Sequence, residues 1–225
     1  MELMVFDEVL ELARSVSQFT VAGEGNVSVR DGDALLIKAS GSTLATMSDD
    51  DLVRCDLDGN AFEGEEKKPS MEVSFHAWIL KTFPEINCVC HTHPTHTIKI
   101  LCSECISDFA NKRLFPDQVV RNGIKSCVVP YNTPGVPLRE EIKKSVEEFI
   151  IRNGYFPKLI LLKNHGIITA STSVQEAIVS TLMCEKSAEI FIGAKMLNDV
   201  QFLTQSEVDA VDTHPSEKYR RNLIR

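Results

Sequence analysis

Three histidines at two places in the sequence are spaced as the ligands of a catalytic metal ion would be. His91 and His93 end one apolar run, and His165 follows a second. Because side chains alternate along an extended chain, His91 and His93 point to the same side and can bind one ion. Pro94 and Gly166 each predict a sharp turn beside these histidines. Three imidazoles with one open position are typical of a catalytic zinc site, or of a site for a similar divalent ion.

The alternative for the histidine pair is a structural one, since most pairs with this spacing are surface or core histidines with ordinary hydrogen-bond partners.

Glu72 and His76 form a second candidate pair of functional side chains. Their i,i+4 spacing places them on one side of a helix predicted over 70–82, with Ser70 as its N-cap. A carboxylate beside a metal can move a proton next to a carbonyl. The structural alternative for Glu72 is that the helix dipole favours any acidic side chain at the start of a helix.

Glycine-bearing turns in the first third of the chain could bind an anion. Gly25-Asn26, Ser40-Gly41 and the helix start at Ser70 can present N–H groups and hydroxyls. The structural alternative is an ordinary turn at each place. Four nearby basic side chains are predicted to be solvated rather than functional: Arg30, Lys38, Lys67 and Lys68.

Composition narrows the class of protein. The 225 residues, 43% of them hydrophobic, suit a single domain over 1–225, with a polar tail from about residue 200. A net charge of −8 argues against a nucleic-acid partner. There is no apolar run long enough to cross a membrane and no signal-peptide pattern at the start. The seven scattered cysteines indicate reduced thiols, so we expect a cytoplasmic protein.

The hydrophobic pattern predicts an α/β protein. Helices are expected over 2–18, 70–82, 95–102, 137–152 and 173–197. Strands are expected on both sides of the turn 31–33 and over 50–57, 86–91, 125–129 and 158–164. The first strands follow one another directly and the later ones alternate with helices. This order predicts a three-layer α/β/α sandwich with a mixed, partly antiparallel central sheet.

Five motifs, in order, resemble the class II aldolase/adducin family over roughly residues 5–200. They are Gly25-Asn26-Val27-Ser28; Ala39-Ser40-Gly41; Lys68-Pro69-Ser70-Met71-Glu72 with Phe75-His76; His91-Thr92-His93-Pro94; and Lys163-Asn164-His165-Gly166. The family includes L-fuculose-1-phosphate and L-rhamnulose-1-phosphate aldolases and L-ribulose-5-phosphate 4-epimerase. The resemblance implies an α/β/α fold, one Zn²⁺ per chain, a sugar-phosphate substrate and a homotetramer with sites at subunit interfaces.

The resemblance also implies roles for single residues. His91, His93 and His165 would bind the zinc, or another divalent transition metal, and Glu72 would be the acid/base. The substrate phosphate would be bound by Gly25, Asn26, Ser40, Gly41, Ser70 and Met71. Met71 stands where the fuculose aldolase has a second serine, so only its backbone N–H would serve.

Two further catalytic residues follow from the resemblance alone. The fuculose aldolase pattern places a tyrosine after the helix that follows the histidine pair, and residues 100–130 contain none. Tyr219 in the tail is therefore expected to supply the proton donor, across an interface. Asp117 falls near the place of an aspartate that the epimerases use.

The leading functional hypothesis is a metal-dependent aldolase. It would cleave a phosphorylated ketose, such as a 6-deoxyketohexose or pentulose 1-phosphate, to dihydroxyacetone phosphate and an aldehyde through a zinc-stabilised enediolate. One alternative is a pentulose-5-phosphate 4-epimerase that uses the same cleavage and re-addition. Decarboxylation or dehydration of a related substrate is another. The alternative of a different class is a non-catalytic, adducin-like interaction domain.

Overall fold

The computed structural model describes residues 5–222, which form a central sheet with helices on both faces. The strands within these residues are β1 (Asn26–Asp31), β2 (Ala34–Lys38), β3 (Leu52–Asp56), β4 (Cys88–Thr92), β5 (Cys127–Val129), β6 (Leu159–Leu162) and β7 (Gly166–Ser171). The helices are α1 (Val5–Val16), α2 (Val73–Thr82), α3 (Thr95–Leu101), α4 (Ile106–Asn111), α5 (Pro116–Asn122), α6 (Val136–Asn153), α7 (Val174–Met196), α8 (Gln205–Thr213) and α9 (Pro215–Asn222).

Across residues 5–222 the sheet has seven strands in the order β3-β2-β1-β4-β7-β6-β5. The pairing of β5 with β6 is parallel and the other pairings are antiparallel. Strand β4 lies in the middle of the sheet, between β1 and β7. The register places His91 opposite Asn26 on one side and Ile168 on the other. The predicted metal ligands therefore start from a central, well-supported strand.

Alternation along the strands divides the core between the two faces. On one face, α2 and α6 pack over residues such as Leu35, Ile37 and Val89. On the other face, α1 and α7 cover Val27 and Cys90, and α3 and α4 extend this layer beside α7. The predicted three-layer α/β/α sandwich with a mixed sheet is confirmed. None of the helices described in 5–222 has the length and apolar composition of a membrane span.

Some elements differ from the sequence-based prediction. No element was predicted between the strand ending at 164 and the helix expected from 173, but residues 166–171 form β7, because Asn164 at φ 55° turns the chain back on itself. Ser70 was predicted as the N-cap of a helix starting at 70. Instead Ser70 lies in an extended segment, where its N–H donates to the Lys38 carbonyl, and Glu72 is the N-cap.

Short helices were the other elements that the pattern did not predict. Helices α4 and α5 fill the stretch between α3 and β5. The polar tail folds into α8 and α9, and α8 packs against α5 with Val208 buried. Thr204 and Glu207 form a capping box at the start of α8, and this signal was present in the sequence.

Candidate metal and anion site

The three predicted metal ligands meet at one end of the central strands. His91 is the fourth residue of β4, His93 follows its end, and His165 lies in the turn between β6 and β7. The centroids of the three rings are 4.8 to 5.1 Å apart. One nitrogen from each ring lies within 4.8 Å of the other two, so a single ion could be bound by all three.

Two glycines allow the strands to approach this closely. A Cβ at Gly166 would lie 2.6 Å from both Cδ2 of His93 and the Thr92 carbonyl oxygen. Gly25 has φ +67°, and a Cβ there would lie 2.8 Å from the His91 carbonyl oxygen. Any other residue at either place would force the histidine segment away from its neighbour. These glycines therefore belong to the geometry of the site and are not merely turn residues.

The contacts of the ring nitrogens indicate which of them could bind an ion. Nδ1 of His91 donates to the Ile167 carbonyl oxygen at 2.8 Å, which leaves Nε2 free of its proton. Nδ1 of His93 faces a Glu24 carboxylate oxygen at 3.6 Å. The Nε2 atoms of His91 and His93 face each other. Nδ1 of His165 has no hydrogen-bond partner among the described residues. Neutral imidazoles are the form that binds a transition metal, so the three residues fit such an ion.

Electrostatics keep these imidazoles neutral at physiological pH. Burial lowers the pKa of His91 to about 4. Burial and the neighbouring His91 also lower the pKa of His93, and of His165, to about 4. A protonated imidazole cannot bind a metal, so the neutral form is the useful one.

Glu72 reaches the same place from the start of α2. Its Oε2 accepts a hydrogen bond from Asn26 Nδ2 at 2.7 Å and lies 3.3 Å from Nε2 of His91. Its Oε1 lies 3.7 Å from Nε2 of His165 and is buried without a hydrogen-bond partner among the described residues. A carboxylate oxygen that is buried and unpartnered beside three imidazoles can accept or return a proton there, or contact a bound ion.

A cleft of about 270 Å³ opens beside the histidines. All six predicted phosphate-binding residues line it, together with Glu72, His93 and His165. The other residues lining it are Gly23, Glu24, Lys38 and Pro134. Among the described residues, the N–H groups of Gly41 and Met71 donate to no acceptor. The hydroxyls of Ser40 and Ser70 stand beside them. Free N–H groups and hydroxyls in one concave place suit an anion such as phosphate.

Lys38 is the clearest error of the sequence-based interpretation. It was predicted to be solvated, but its exposure is 2%. Its Nζ donates to the Gly23 carbonyl at 3.1 Å and to the Ser42 carbonyl at 2.6 Å. Burial lowers the pKa of Lys38, while the charges of Asp51 and Glu72 act in the opposite direction. The ammonium group therefore joins the two loops of the cleft and places a positive charge at its base.

Arg30 was also predicted to be solvated and is partly buried. Its guanidinium donates to the Ile86 carbonyl oxygen at 3.0 Å and to the Leu80 carbonyl oxygen near the end of α2. Lys67, by contrast, is exposed and pairs with Asp51 at 2.8 Å. Arg30 thus supports the helix that carries Glu72 but does not line the cleft.

Comparison with known proteins places this geometry in a family. The model of the class II aldolase and adducin N-terminal domain matches residues 8–192. The chain belongs to this family. It is 32% identical over 211 residues to the 3-oxo-tetronate 4-phosphate decarboxylase of Haemophilus influenzae, covering 92% of this chain and 93% of that one. It is 30% identical over 191 residues to an L-fuculose phosphate aldolase of Methanococcus maripaludis, covering 84% and 96%.

A solved structure of L-fuculose 1-phosphate aldolase has the same fold. The TM-score is 0.81 at 24% identity, with 98% of each chain covered. The family resemblance inferred from the motifs is therefore confirmed. The relatives' names include an aldolase and a decarboxylase, and family membership leaves both reactions open for this chain.

The two catalytic residues expected from the class II aldolase pattern alone do not line the cleft of the single chain. Asp117 is in the first turn of α5, which packs against α7 and α8. Tyr219 is in α9 and is 65% exposed. The structure brings Glu72, the three histidines and the predicted phosphate-binding residues together, and Asp117 and Tyr219 do not line the same cleft.

Tyr131 is a candidate that the sequence analysis missed. It lies on the loop whose Pro134 lines the cleft, and its side chain is 61% exposed. It falls just beyond the stretch 100–130 in which the family pattern places a tyrosine. The signal that would have found it is the segment Pro130-Tyr131-Asn132-Thr133-Pro134-Gly135, an aromatic residue in a loop bounded by proline and glycine.

Proposed function

We propose that this chain is a metal-dependent carbon–carbon lyase acting on a small phosphorylated ketose. Its reaction would be an aldol cleavage to dihydroxyacetone phosphate and an aldehyde. One observation carries the proposal: the buried, unpartnered Oε1 of Glu72 lies beside three convergent imidazoles. The same cleft holds N–H and hydroxyl donors for a phosphate. An acid/base, a metal-binding centre and an anion site in one cleft are what this reaction requires.

We propose the following roles for the residues of the cleft in this reaction. A divalent metal on His91, His93 and His165, which we propose to be one Zn²⁺, would act as a Lewis acid toward the substrate carbonyl and hydroxyl oxygens. The donors around Ser40, Gly41 and Ser70 would bind the phosphate and orient the carbon chain. When the carbon–carbon bond breaks, its electron pair stays on the carbon beside the carbonyl. Glu72, protonated from water before the bond breaks, would deliver that proton from Oε1 to the carbon and return to the ionised carboxylate.

A second group must accept the hydroxyl proton of the fragment that leaves as the aldehyde, and we propose that a neighbouring subunit supplies this group. Met71 lines the cleft and is 78% exposed, so the cleft opens onto a surface that a second subunit could cover. In a homotetramer with sites at its interfaces, Tyr219 of one subunit would serve the cleft of another. Asp117 would have the corresponding role in a 4-epimerase. All seven cysteines are free, which supports a cytoplasmic location.

Decarboxylation is a second candidate, favoured by the similarity to the Haemophilus influenzae decarboxylase over 92% of the chain. Loss of CO₂ from a 3-oxo acid also leaves an electron pair on the carbon beside a carbonyl. Glu72 could protonate that carbon in the same way. Decarboxylation needs no base to accept a hydroxyl proton, so Tyr219 and Asp117 would be dispensable.

The test uses purified, zinc-loaded protein with ketose 1-phosphates, pentulose 5-phosphates and 3-oxo acid 4-phosphates. Dihydroxyacetone phosphate is measured by a coupled dehydrogenase, CO₂ by its release, and a 4-epimer by NMR of the product. We expect dihydroxyacetone phosphate from a ketose 1-phosphate, and a loss of about 10²- to 10⁴-fold in kcat for Glu72→Gln with the metal retained. Metal-loaded protein that turns over none of these substrates would contradict the proposal and would support the interaction-domain alternative.

A further inference from the structure

A chain of side-chain hydrogen bonds leads from Glu72 into the interior of the protein. Asn26 Nδ2 donates to Oε2 of Glu72, as described above. The other end of the same amide, Oδ1, is hydrogen-bonded to Nε2 of His76. Nδ1 of His76 in turn lies 2.7 Å from the hydroxyl oxygen of Ser28. The chain joins β1, which holds Asn26 and Ser28, to α2, which holds His76.

The chemistry of these groups fixes the direction of each hydrogen bond. An ionised carboxylate only accepts, so Asn26 must present its NH₂ group to Glu72 and its carbonyl oxygen to His76. That oxygen only accepts, so the proton of His76 must be on Nε2. Nδ1 of His76 then accepts from the Ser28 hydroxyl. If His76 carried its proton on Nδ1 instead, Oδ1 of Asn26 would face a lone pair and the amide would tend to rotate.

The polar groups of this hydrogen-bond chain are buried, and burying a polar side chain costs free energy unless it is hydrogen-bonded. His76 and Ser28 are fully buried and Asn26 is 3% exposed. The ring of Phe75 stacks on His76 with the centroids 4.6 Å apart. A buried imidazole is tolerated only when its nitrogens are hydrogen-bonded, and an aliphatic side chain would pack here at lower cost. Burial also lowers the pKa of His76 well below its usual value, so the ring stays neutral.

We propose that His76 is a positioning residue for the acid/base Glu72. By fixing the Asn26 amide, His76 commits Oε2 of Glu72 to a hydrogen bond and leaves Oε1 as the oxygen that transfers the proton. The free oxygen Oε1 is the one that is buried without a partner, 3.7 Å from Nε2 of His165. The inference rests on the proposed function, because it assumes that Glu72 moves a proton.

The first test needs neither metal nor substrate. Metal-free protein labelled with ¹⁵N-histidine is examined by long-range ¹H–¹⁵N correlation, and the His76 signals are assigned from their loss in His76→Gln. We expect His76 as the neutral tautomer with its proton on Nε2, in slow exchange with water because the ring is buried. A proton on Nδ1, or a mixture of the two tautomers, would overturn the inference.

The second test measures the effect on turnover. The amide of His76→Gln can still donate to Asn26, whereas His76→Leu cannot. We expect kcat to fall by about 10- to 100-fold in His76→Leu and to be largely restored in His76→Gln, with KM and zinc content little changed in both. A role in packing alone would give no such separation of kcat from KM and no rescue by glutamine.

Ser28→Ala and Ser74→Ala form a matched pair in case His76→Leu fails to fold. Each removes one buried hydroxyl, but the Ser74 hydroxyl has no partner among the described residues. We expect a lower kcat in Ser28→Ala and a nearly unchanged one in Ser74→Ala. Equal values would overturn the inference. If no substrate is turned over but NMR shows the Nε2–H tautomer, the proposed function fails and the hydrogen-bond chain stands.

Discussion

The Nε2 atoms of His91 and His93 are 3.0 Å apart. Two ligands of one tetrahedral zinc, each about 2.0–2.1 Å from the ion, are about 3.3 Å apart. Nδ1 of His91 donates its proton to a carbonyl oxygen. The lone pair of this ring is therefore on Nε2, which faces His93 at close range. Without an ion, Nε2–H of His93 can donate to the lone pair on Nε2 of His91, and a bound cation would take the place of that proton. The separation is thus close to the one that metal binding requires.

Replacement of His93 by alanine should remove most of the bound metal, because two imidazoles bind zinc far more weakly than three. The measurement is zinc content per chain by mass spectrometry after dialysis, with circular dichroism to confirm that the fold is intact. His214→Ala is the matched control, since His214 is exposed and its Nδ1 accepts a hydrogen bond from the Ser216 N–H. Equal zinc content in the two variants would exclude His93 as a ligand.

The stability of the metal-free protein should fall in mild acid. The pKa of His91 is lowered by burial to about 4, while an unfolded histidine has a value of about 6.5. Between these values the unfolded chain binds a proton that the folded chain does not, so the free energy of unfolding rises with pH through this window and levels off above it. His91 alone should lower it by about 2 kcal/mol at pH 5 relative to pH 7.5.

Urea unfolding in the presence of a chelator at these two pH values measures the difference. His91→Gln, which cannot titrate, should show a smaller difference than the unmodified protein. The same difference in both proteins would mean that the acid sensitivity arises at other residues.

Loss of the Lys38 ammonium should weaken anion binding and loosen the cleft. Lys38→Met removes two partly buried hydrogen bonds, to the carbonyl oxygens of Gly23 and Ser42, and a charge beside the proposed phosphate site. We expect inorganic phosphate to bind about tenfold more weakly and the protein to lose about 1–3 kcal/mol of stability. Lys67→Met is the control, because Lys67 makes an exposed ion pair of little energetic value. Calorimetric titration with phosphate that gave equal affinities would remove Lys38 from the anion site.

A methyl group at Gly166 should disrupt the site. In Gly166→Ala the new Cβ would press against His93 and the Thr92 carbonyl oxygen. We expect a loss of about 1–3 kcal/mol of stability together with reduced zinc content. Gly193→Ala provides the comparison. Gly193 lies in α7, and a Cβ there would meet nothing within 4 Å, so stability should rise by about 0.5–1 kcal/mol. Unaltered zinc content in folded Gly166→Ala would show that the strands can adjust.

The fold and the clustering of the three histidines could be predicted from the sequence, because local patterns encode them. Strand periodicity and the turn residues beside His91, His93 and His165 depend on near neighbours in the chain. Burial of Lys38 depends instead on carbonyl groups of two loops that fold over it, which no local pattern shows. β7 was missed because all six of its residues are buried, so they show no alternation of polar and apolar side chains; Asn164 and Gly166 mark the turn before the strand but not the strand itself.

The role of Asn26 could not be read from its motif either. The glycine–asparagine motif suggested a phosphate contact, and Asn26 does line the cleft. Both ends of its side-chain amide are nevertheless engaged, one by Glu72 and one by His76. Those partners are distant in sequence, and only the pairing of β1 with β4 and the packing of α2 bring them together.

Because the histidines lie at the ends of separate strands of the sheet, a bound metal would also affect the stability of the protein. An ion bound by β4 and by the turn after β6 would cross-link segments far apart in the chain, and the unfolded chain could not bind it as well. Tight binding would therefore stabilise the folded protein by mass action, by about 4 kcal/mol when free metal is a thousand times the dissociation constant. The supply of metal in the cell would then control the rate at which the protein is degraded as well as its activity.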